Sequence, residues 1–412
     1  MTANQILILN AGSSSIKFSI YDLMPAFQSV YEGEVSGIGT PDADLNIRVK
    51  AQQGDRESQK KFPIDRLQTF HQAVGVISEL AATLSEKKPA AIGHRVVHSG
   101  PILKQHQKIT PEVFELIKQS TPFAPLHQPL AIEMIESSRL HFPDVDNYAC
   151  FDTIFHESLP EAAFTYALPK EIRDLGIRRY GFHGLSCESV IQRLKDGRID
   201  GNRMSRKVPS RLIIAHLGNG ASVTAVVDGC SVDTTMGLTP CGGVIMGTRS
   251  GDLDPGVIFR LLRMQSGSEN QRVDAVEKMV NTQSGMKAIS AFSQDMRELR
   301  KASEENDACA QLAIEIFTRN IKKAIGGYIA LMGTIDAIVF TGGIGEHDLK
   351  TRQEICQGLG PLGIKLDPVK NMIVARAARP ISIEGASPQL YVFPADENDV
   401  IAKHVLRMLM LI

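Results

Sequence analysis

Two stretches of this chain share one unusual design, and it limits the folds available. In ILILNAGSSSIKFSIYD, Ile6 to Asp22, an apolar run enters a Gly/Ser turn, after which Ile16, Phe18 and Ile20 alternate with polar residues. Period two on both sides of a glycine turn predicts a β-hairpin. RLIIAHLGNGASVTAVVDG, Arg211 to Gly229, repeats the design, with Val223, Ala225 and Val227 alternating on the way out. Two such units about two hundred residues apart point to one ancestral domain used twice, not to a short-period solenoid. A chain of 412 residues also exceeds one ordinary core, so two or more domains are expected.

The intervening sequence alternates short apolar strands with helical patterns. AAIGHRVVHSG around Arg95 and NYACFDTIFH around Asp152 read as strands, and PLAIEMIESSRLHF from Pro129 as a helix. Such alternation predicts an α/β fold with helices covering the sheets. Asp254-Pro255 fits an N-cap followed by Pro at the first helical position. A long helix is predicted from about Ser303 to Met332, interrupted at Gly326-Gly327, then the strand DAIVF and a third glycine turn, TGGIGEH. Gly197 to Ser210 is polar and without period, and reads as a surface loop. The apolar C-terminus reads as a packed final helix.

Charge narrows the partners. With 45 basic and 46 acidic side chains the formal net charge is -1, which gives no reason to expect nucleic acid or an anionic membrane. Any bound anion must be held by local positive charge. The six cysteines, at 150, 187, 230, 241, 309 and 356, form no C-x-x-C pair and read as free thiols in a reducing compartment. The run Ile6 to Leu9 is too short for a signal peptide, and no stretch approaches the ~20 apolar residues of a membrane span. A cytoplasmic protein is expected.

Three glycine-rich turns, NAGSSSIK, HLGNGAS and TGGIGEH, each follow an apolar strand directly. Such turns let backbone amides approach a phosphate closely. Their joint occurrence favours phosphate binding over simple chain reversal. The first also carries Lys17, with Ser13 and Ser15 as hydroxyl donors. None has the spacing of a Walker A loop or a Rossmann fingerprint.

Paired hairpins of this kind resemble the superfamily of sugar kinases, actin and chaperone ATPases. Within it, NAGSSSIK, GHRVVHSG, APLHQP, FDTIFH, RRYGFHG, HLGNGAS, MGTRSGDLDPG and TGGIGEH, in that order from Asn10 to His347, resemble the acetate kinase family over essentially the whole chain. The resemblance implies two related ribonuclease H-like domains, with mixed sheets flanked by helices and an active site in the interdomain cleft. It implies an N-terminal domain of residues 1–152 plus 395–412 and a nucleotide-binding domain of 153–394. It also implies ATP and acetate, or another short-chain carboxylate, as substrates, Mg²⁺ (or Mn²⁺) as cofactor, and a homodimer.

Phosphoryl transfer to a carboxylate brings two anions together, so positioning and charge neutralisation must supply most of the catalysis. Arg95 and Arg249, flanked by small and apolar residues, suit bidentate anion binding. The family resemblance gives Arg95 the substrate carboxylate and Arg249 the transition state. It makes His183 a donor to the transferring phosphoryl group, places His127 on the substrate side, and puts His216 on the nucleotide side with Leu217, Gly218, Asn219 and Gly220. Asp152 matches the family's essential carboxylate. A free carboxylic acid has a pKa around 4.3 and is already ionised at neutral pH, so a base is unnecessary. Asp152 is therefore expected to orient Arg or His, or to hold the metal through water. Asn10 and Glu397 match metal-associated positions. Asp295, Met296, Arg297 and Gly343, Ile344, Gly345, Glu346 and His347 match the adenosine side.

Val97, Leu126, Phe182 and Pro240 match an acyl pocket, and Val97, two residues after Arg95 on a predicted strand, should share its face. Val97 favours acetate, with propionate kinase the nearest alternative. An actin-like or chaperone-like ATPase is the alternative of another class, and it would leave Arg95 and Arg249 without purpose.

Overall fold

The hairpin predicted at the N-terminus is the centre of the first of two units. The computed structural model describes residues 5–12, 15–24, 26–50, 56–58, 64–85, 88–199, 202–203, 208–374 and 377–410. One unit runs to Ile154 and resumes at Asp396; the other spans Phe155–Ala395.

In the first unit, β1 (Gln5–Ala11) pairs antiparallel with β2 (Ile16–Asp22), Ile6 facing Tyr21 and Asn10 facing Lys17. Strands β3 (Gln28–Ser36), β4 (Asp44–Val49) and β5 (Arg56–Ser58) extend the antiparallel side. On the other side β6 (Ala91–Val96) runs parallel to β1, and β8 (Asp146–Phe151) parallel to β6, with β7 (Gln107–Lys108) at the edge. Residues Ile6 to Leu9 are wholly buried, as a strand covered on both faces requires. The helices Phe70–Ser85 and Gln128–His141 contribute Val74, Ile77, Met134 and others to the core on Leu7, Phe18 and Ile20. The final helix, Glu397–Met410, buries Val400, Ile401, Ala402 and Val405, as its apolar pattern predicts.

A minor ribbon of β9 (Arg198–Ile199) and β10 (Asn202–Arg203) lies within the segment read as a loop. The second sheet then repeats the first. β11 (Arg211–Leu217) pairs antiparallel with β12 (Ala221–Val227), which pairs with β13 (Cys230–Thr234). β14 (Ala337–Thr341) and β16 (Gln389–Val392) continue in parallel, with β15 (Arg379–Pro380) at the edge. The order β3-β2-β1-β6-β8 is thus matched by β13-β12-β11-β14-β16. The repetition reaches single positions: Asn10 and His216 are each the sixth residue of their strand, facing the second residue of the next, Lys17 and Ser222.

The structure departs from the sequence reading elsewhere too. The helix Ala308–Met332 continues through Gly326-Gly327, because the buried Ile321, Ile325 and Tyr328 on either side of the pair anchor the helix and outweigh its low propensity. Ser303 belongs to a separate helix, Met296–Glu304. TGGIGEH is less a turn than a helix start: Gly342 has φ 77, and a Cβ there would meet Leu217 O at 2.8 Å, after which Gly342–His347 is helical. The Asp254 cap is present, its side chain accepting from the Gly256 amide with Pro255 behind it.

Candidate active site

Parallel pairing of β6 and β8 sets Arg95 beside Cys150, and Asp152 follows one residue past the end of β8. The Asp152 amide donates to Val96 O at 3.1 Å, which fixes its place at the strand end. Its carboxylate, 1% exposed, receives Arg95 Nε at 3.1 Å on each oxygen and Nη2 at 2.6 Å on Oδ2. Arg95 Nη1 donates to Asn10 Oδ1 at 3.3 Å and lies 3.7 Å from Glu397 Oε2. Asn10 Nδ2 donates to that same Glu397 oxygen at 2.9 Å, a contact spanning 387 positions of the chain. Glu397 opens the final helix, where an acidic side chain also meets the positive end of the helix dipole. Burial works against the Arg95 charge, but Asp152 and then Glu397 outweigh it and raise its pKa above the usual arginine range. The cluster joins one guanidinium, two carboxylates and one amide.

A second cluster forms at the corresponding end of β11. His183 adopts the left-handed conformation (φ 57, ψ 26) just before the helix Gly184–Asp196. That is an uncommon place for a side chain with a Cβ and marks strain retained by its surroundings. His183 Nδ1 shares a hydrogen bond of 2.9 Å with Ser222 Oγ, and the ring stacks on His216 at 4.1 Å. His216 Nδ1 in turn bonds Ser186 Oγ at 2.8 Å. Just before it, Phe182 O lies 2.9 Å from Nε2 of His156, whose pKa burial lowers to about 4. A Cβ on Gly220 would sit 3.2 Å from His183 Nε2 and 3.5 Å from Arg249 Nη1, so both groups reach the same point of the HLGNGAS turn. Arg249 Nη1 also donates to Pro240 O at 3.1 Å. Imidazole and guanidinium side by side on a glycine turn are hydrogen-bond donors of a kind suited to anionic oxygens.

Comparison with known proteins decides the family. The acetokinase family pattern matches residues 5–403. This chain belongs to the acetokinase family. It is 40% identical over 410 residues to the acetate kinase of Syntrophobacter fumaroxidans, covering 98% of this chain and 96% of that one. To the acetate kinase of Rhodopseudomonas palustris it is 39% identical, covering 98% of each chain. The crystal structure of Porphyromonas gingivalis acetate kinase matches with TM-score 0.79 and 31% identity over 99% of this chain and 100% of that one. A propionate kinase from Francisella tularensis matches with TM-score 0.83 and 34% identity over 97% and 98%. As an acetokinase the chain is a kinase that transfers phosphate to a carboxylate. Among the described residues no helix is long and apolar enough to cross a membrane.

The remaining family-matched residues divide between the two units. In the first, Lys17 is exposed on the face it shares with Asn10, and Ser15 O accepts from Gly12 N at 2.8 Å; Ser13 lies outside the described residues. Strand β6 ends at Val96, so buried Val97 sits one residue past it, and the shared-face argument for Val97 loses its strand. Leu126 is exposed, and His127 precedes the helix Gln128–His141.

In the second unit Phe182 and Pro240 are buried, and Leu217 and Gly218 lie against Gly342 and Gly343. Asn219 O accepts from Gly247 N at 3.0 Å, which ties the turn to the loop carrying Arg249. Asp295 caps the helix Met296–Glu304 and binds the Arg297 side chain, whose hydrogen bonds lower the Asp295 pKa, while Met296 is core. Ile344 and Glu346 are half-buried and His347 exposed around buried Gly345, and Glu346 Oε1 accepts from Ala395 N at 2.9 Å. Sequence reasoning missed Ser222, Ser186 and His156; Ser222 was accessible through its register with His216 in the hairpin.

Proposed function

We propose that this acetokinase moves the γ-phosphoryl group of ATP reversibly to acetate, giving acetyl phosphate and ADP. One observation carries the reading: Asp152 takes the Nε and Nη2 edge of Arg95, so the guanidinium is held rigid, and its other edge, where Nη1 also donates to Asn10, is offered to a substrate carboxylate. Orienting Arg95 is then the task of Asp152, and no proton need be removed from an acid already ionised. In direct transfer one carboxylate oxygen bonds to the γ-phosphorus as the bond from that phosphorus to the bridging oxygen of ADP breaks. His183 and Arg249, both at Gly220, donate to the equatorial phosphoryl oxygens, where charge develops.

Asn10, Asp152 and Glu397 form an all-oxygen donor set, the chemistry that suits a hard divalent cation. Two carboxylates around one guanidinium leave a net negative charge, which would otherwise repel the substrates. Bound there, directly or through water, Mg²⁺ would neutralise charge on the phosphates.

The preferred acid is proposed to be acetate, with Val97 limiting the acyl space. The test is kcat/KM for acetate, propionate and butyrate, with the product trapped by hydroxylamine. Acetate should lead propionate by a modest ratio, within the ~10–200-fold that one methylene permits. A propionate optimum would reassign the substrate, and ATP hydrolysis independent of any acid would remove the reading.

A further inference from the structure

Arg352 is among the largest fully buried side chains of the protein, at 1% exposure. It lies on the helix Leu349–Cys356, and its Nη1 donates to Gly345 O at 2.8 Å and Glu346 O at 3.0 Å. Nε donates to Asn371 Oδ1 at 2.7 Å, and Nη2 to Asn371 O at 3.0 Å. Each of these acceptors is a neutral oxygen. Burial, followed by the charge of Arg379, lowers the Arg352 pKa to about 10. A buried charge whose hydrogen bonds all go to neutral carbonyl oxygens is a costly way to fill a core position. The carbonyls it binds close the short helix Gly342–His347, whose six residues are too few to hold helical shape alone. A cation at this end satisfies the orphan carbonyls and the dipole together.

The next residue, Asp348, is held from the other side. Arg300 Nε donates to Asp348 Oδ2 at 3.0 Å, and its Nη groups bind Glu354 at 2.5 and 2.9 Å and Thr351 Oγ1 at 2.9 Å. Arg300 stands one turn beyond Asp295–Arg297 on the helix Met296–Glu304. One arginine thus ties the two adenosine-side segments together, while the other fixes the backbone of the glycine segment.

We infer that Arg352 and Arg300 are positioning residues for the nucleotide, setting the place of Gly343–His347 and its distance from Asp295–Arg297. Neither needs to touch ATP. The inference rests on the reading that these segments receive the adenosine, and Gly343 allows that reading to be tested by itself. A Cβ at Gly343 would meet nothing within 4 Å, so a side chain there enters open space where the nucleotide would lie.

The experiment is calorimetric titration of ADP into wild type, Gly343→Leu, Arg352→Met, Arg352→Lys and Arg300→Met, with KM for ATP and for acetate. Gly343→Leu should abolish ADP binding. Arg352→Met and Arg300→Met should weaken ADP at least about tenfold, since a misplacement of ~1 Å can cost ~10²-fold. KM for ATP should rise in parallel while KM for acetate stays within twofold. Arg352→Lys, still able to reach the two carbonyls, should recover part of the loss. If Gly343→Leu binds ADP normally, the nucleotide lies elsewhere and the inference falls with the reading. If Gly343→Leu fails to bind but folded Arg352→Met and Arg300→Met bind ADP within twofold of wild type, the positioning role alone is overturned. Equal rises in both KM values would likewise reduce the arginines to general stabilisers. Should Arg352→Met not fold, Arg300→Gln and Asp348→Asn, at half-buried positions, carry the same comparison.

Discussion

Asp152 holds Arg95 by three hydrogen bonds along one edge of the guanidinium, at 3.1, 3.1 and 2.6 Å. The carboxylate is almost wholly buried and the guanidinium keeps 17% exposure, so the pair is anchored at the acid and open at the arginine. A cation held rigid along one edge gives a small carboxylate a fixed direction of approach.

Replacing Asp152 by Asn removes the charge and one acceptor while keeping the shape. Arg95 then loses its fixed orientation, and since a misplacement of ~1 Å can cost ~10²-fold, kcat/KM for acetate should fall by ~10²-fold or more. The loss should be equal across pH 6 to 9, because orientation and not proton removal is being lost. Residual Asp152→Asn activity that climbs tenfold per pH unit would instead mean that Asp152 accepts a proton.

Arg249→Ala removes the charge beside His183 Nε2. Turnover should drop by ~10³–10⁵-fold, the usual contribution of an arginine on a transferring phosphoryl group. A lowered steady-state kcat with near-normal ATP affinity is the expected pattern. A variant turning over within tenfold of wild type would take Arg249 out of the transition state.

Ser222 sets the imidazole of His183. When its hydroxyl donates to Nδ1, the ring proton is held on Nε2, which faces Gly220. Ser222→Ala should lower kcat by about tenfold, the equivalent of one hydrogen bond of roughly 1–1.5 kcal/mol, with both KM values little changed. Ser222→Thr should retain most of the rate. Loss of both rates to the same degree would point to packing.

Burial lowers the pKa of both His94 and His156 from an ordinary 6.5 to about 4. Between those values the unfolded chain binds the extra protons, so stability is full above pH 6.5 and is lost as pH falls toward 4. Each shift corresponds to roughly 3 kcal/mol. Unfolding midpoints in urea should therefore decline across that window, and His156→Gln should flatten the slope even though it lowers the midpoint overall. An unchanged slope would place the acid sensitivity in other groups.

Much of this protein is legible in its sequence because the signals are local. Period two around NAGSSSIK and HLGNGAS specifies both hairpins, since side chains alternate across a strand whatever surrounds it. The Asp254-Pro255 cap is likewise a matter of neighbouring atoms. The family strings name Arg95, Asp152, His183 and Arg249 without any geometry.

Tertiary structure alone decides how these residues meet. Parallel pairing, which no local pattern encodes, brings Asp152 within hydrogen-bonding reach of Arg95, 57 positions away. The final helix delivers Glu397 to Asn10 from the far end of the chain. Helix continuity through Gly326-Gly327 follows from packing that outweighs propensity, and β6 stops at Val96, one residue short of what alternation suggested for Val97. Arg352 carries no sequence signal at all. A buried arginine becomes visible only when the carbonyls of Gly345 and Glu346 are seen closing around it, because burial is a property of the folded chain.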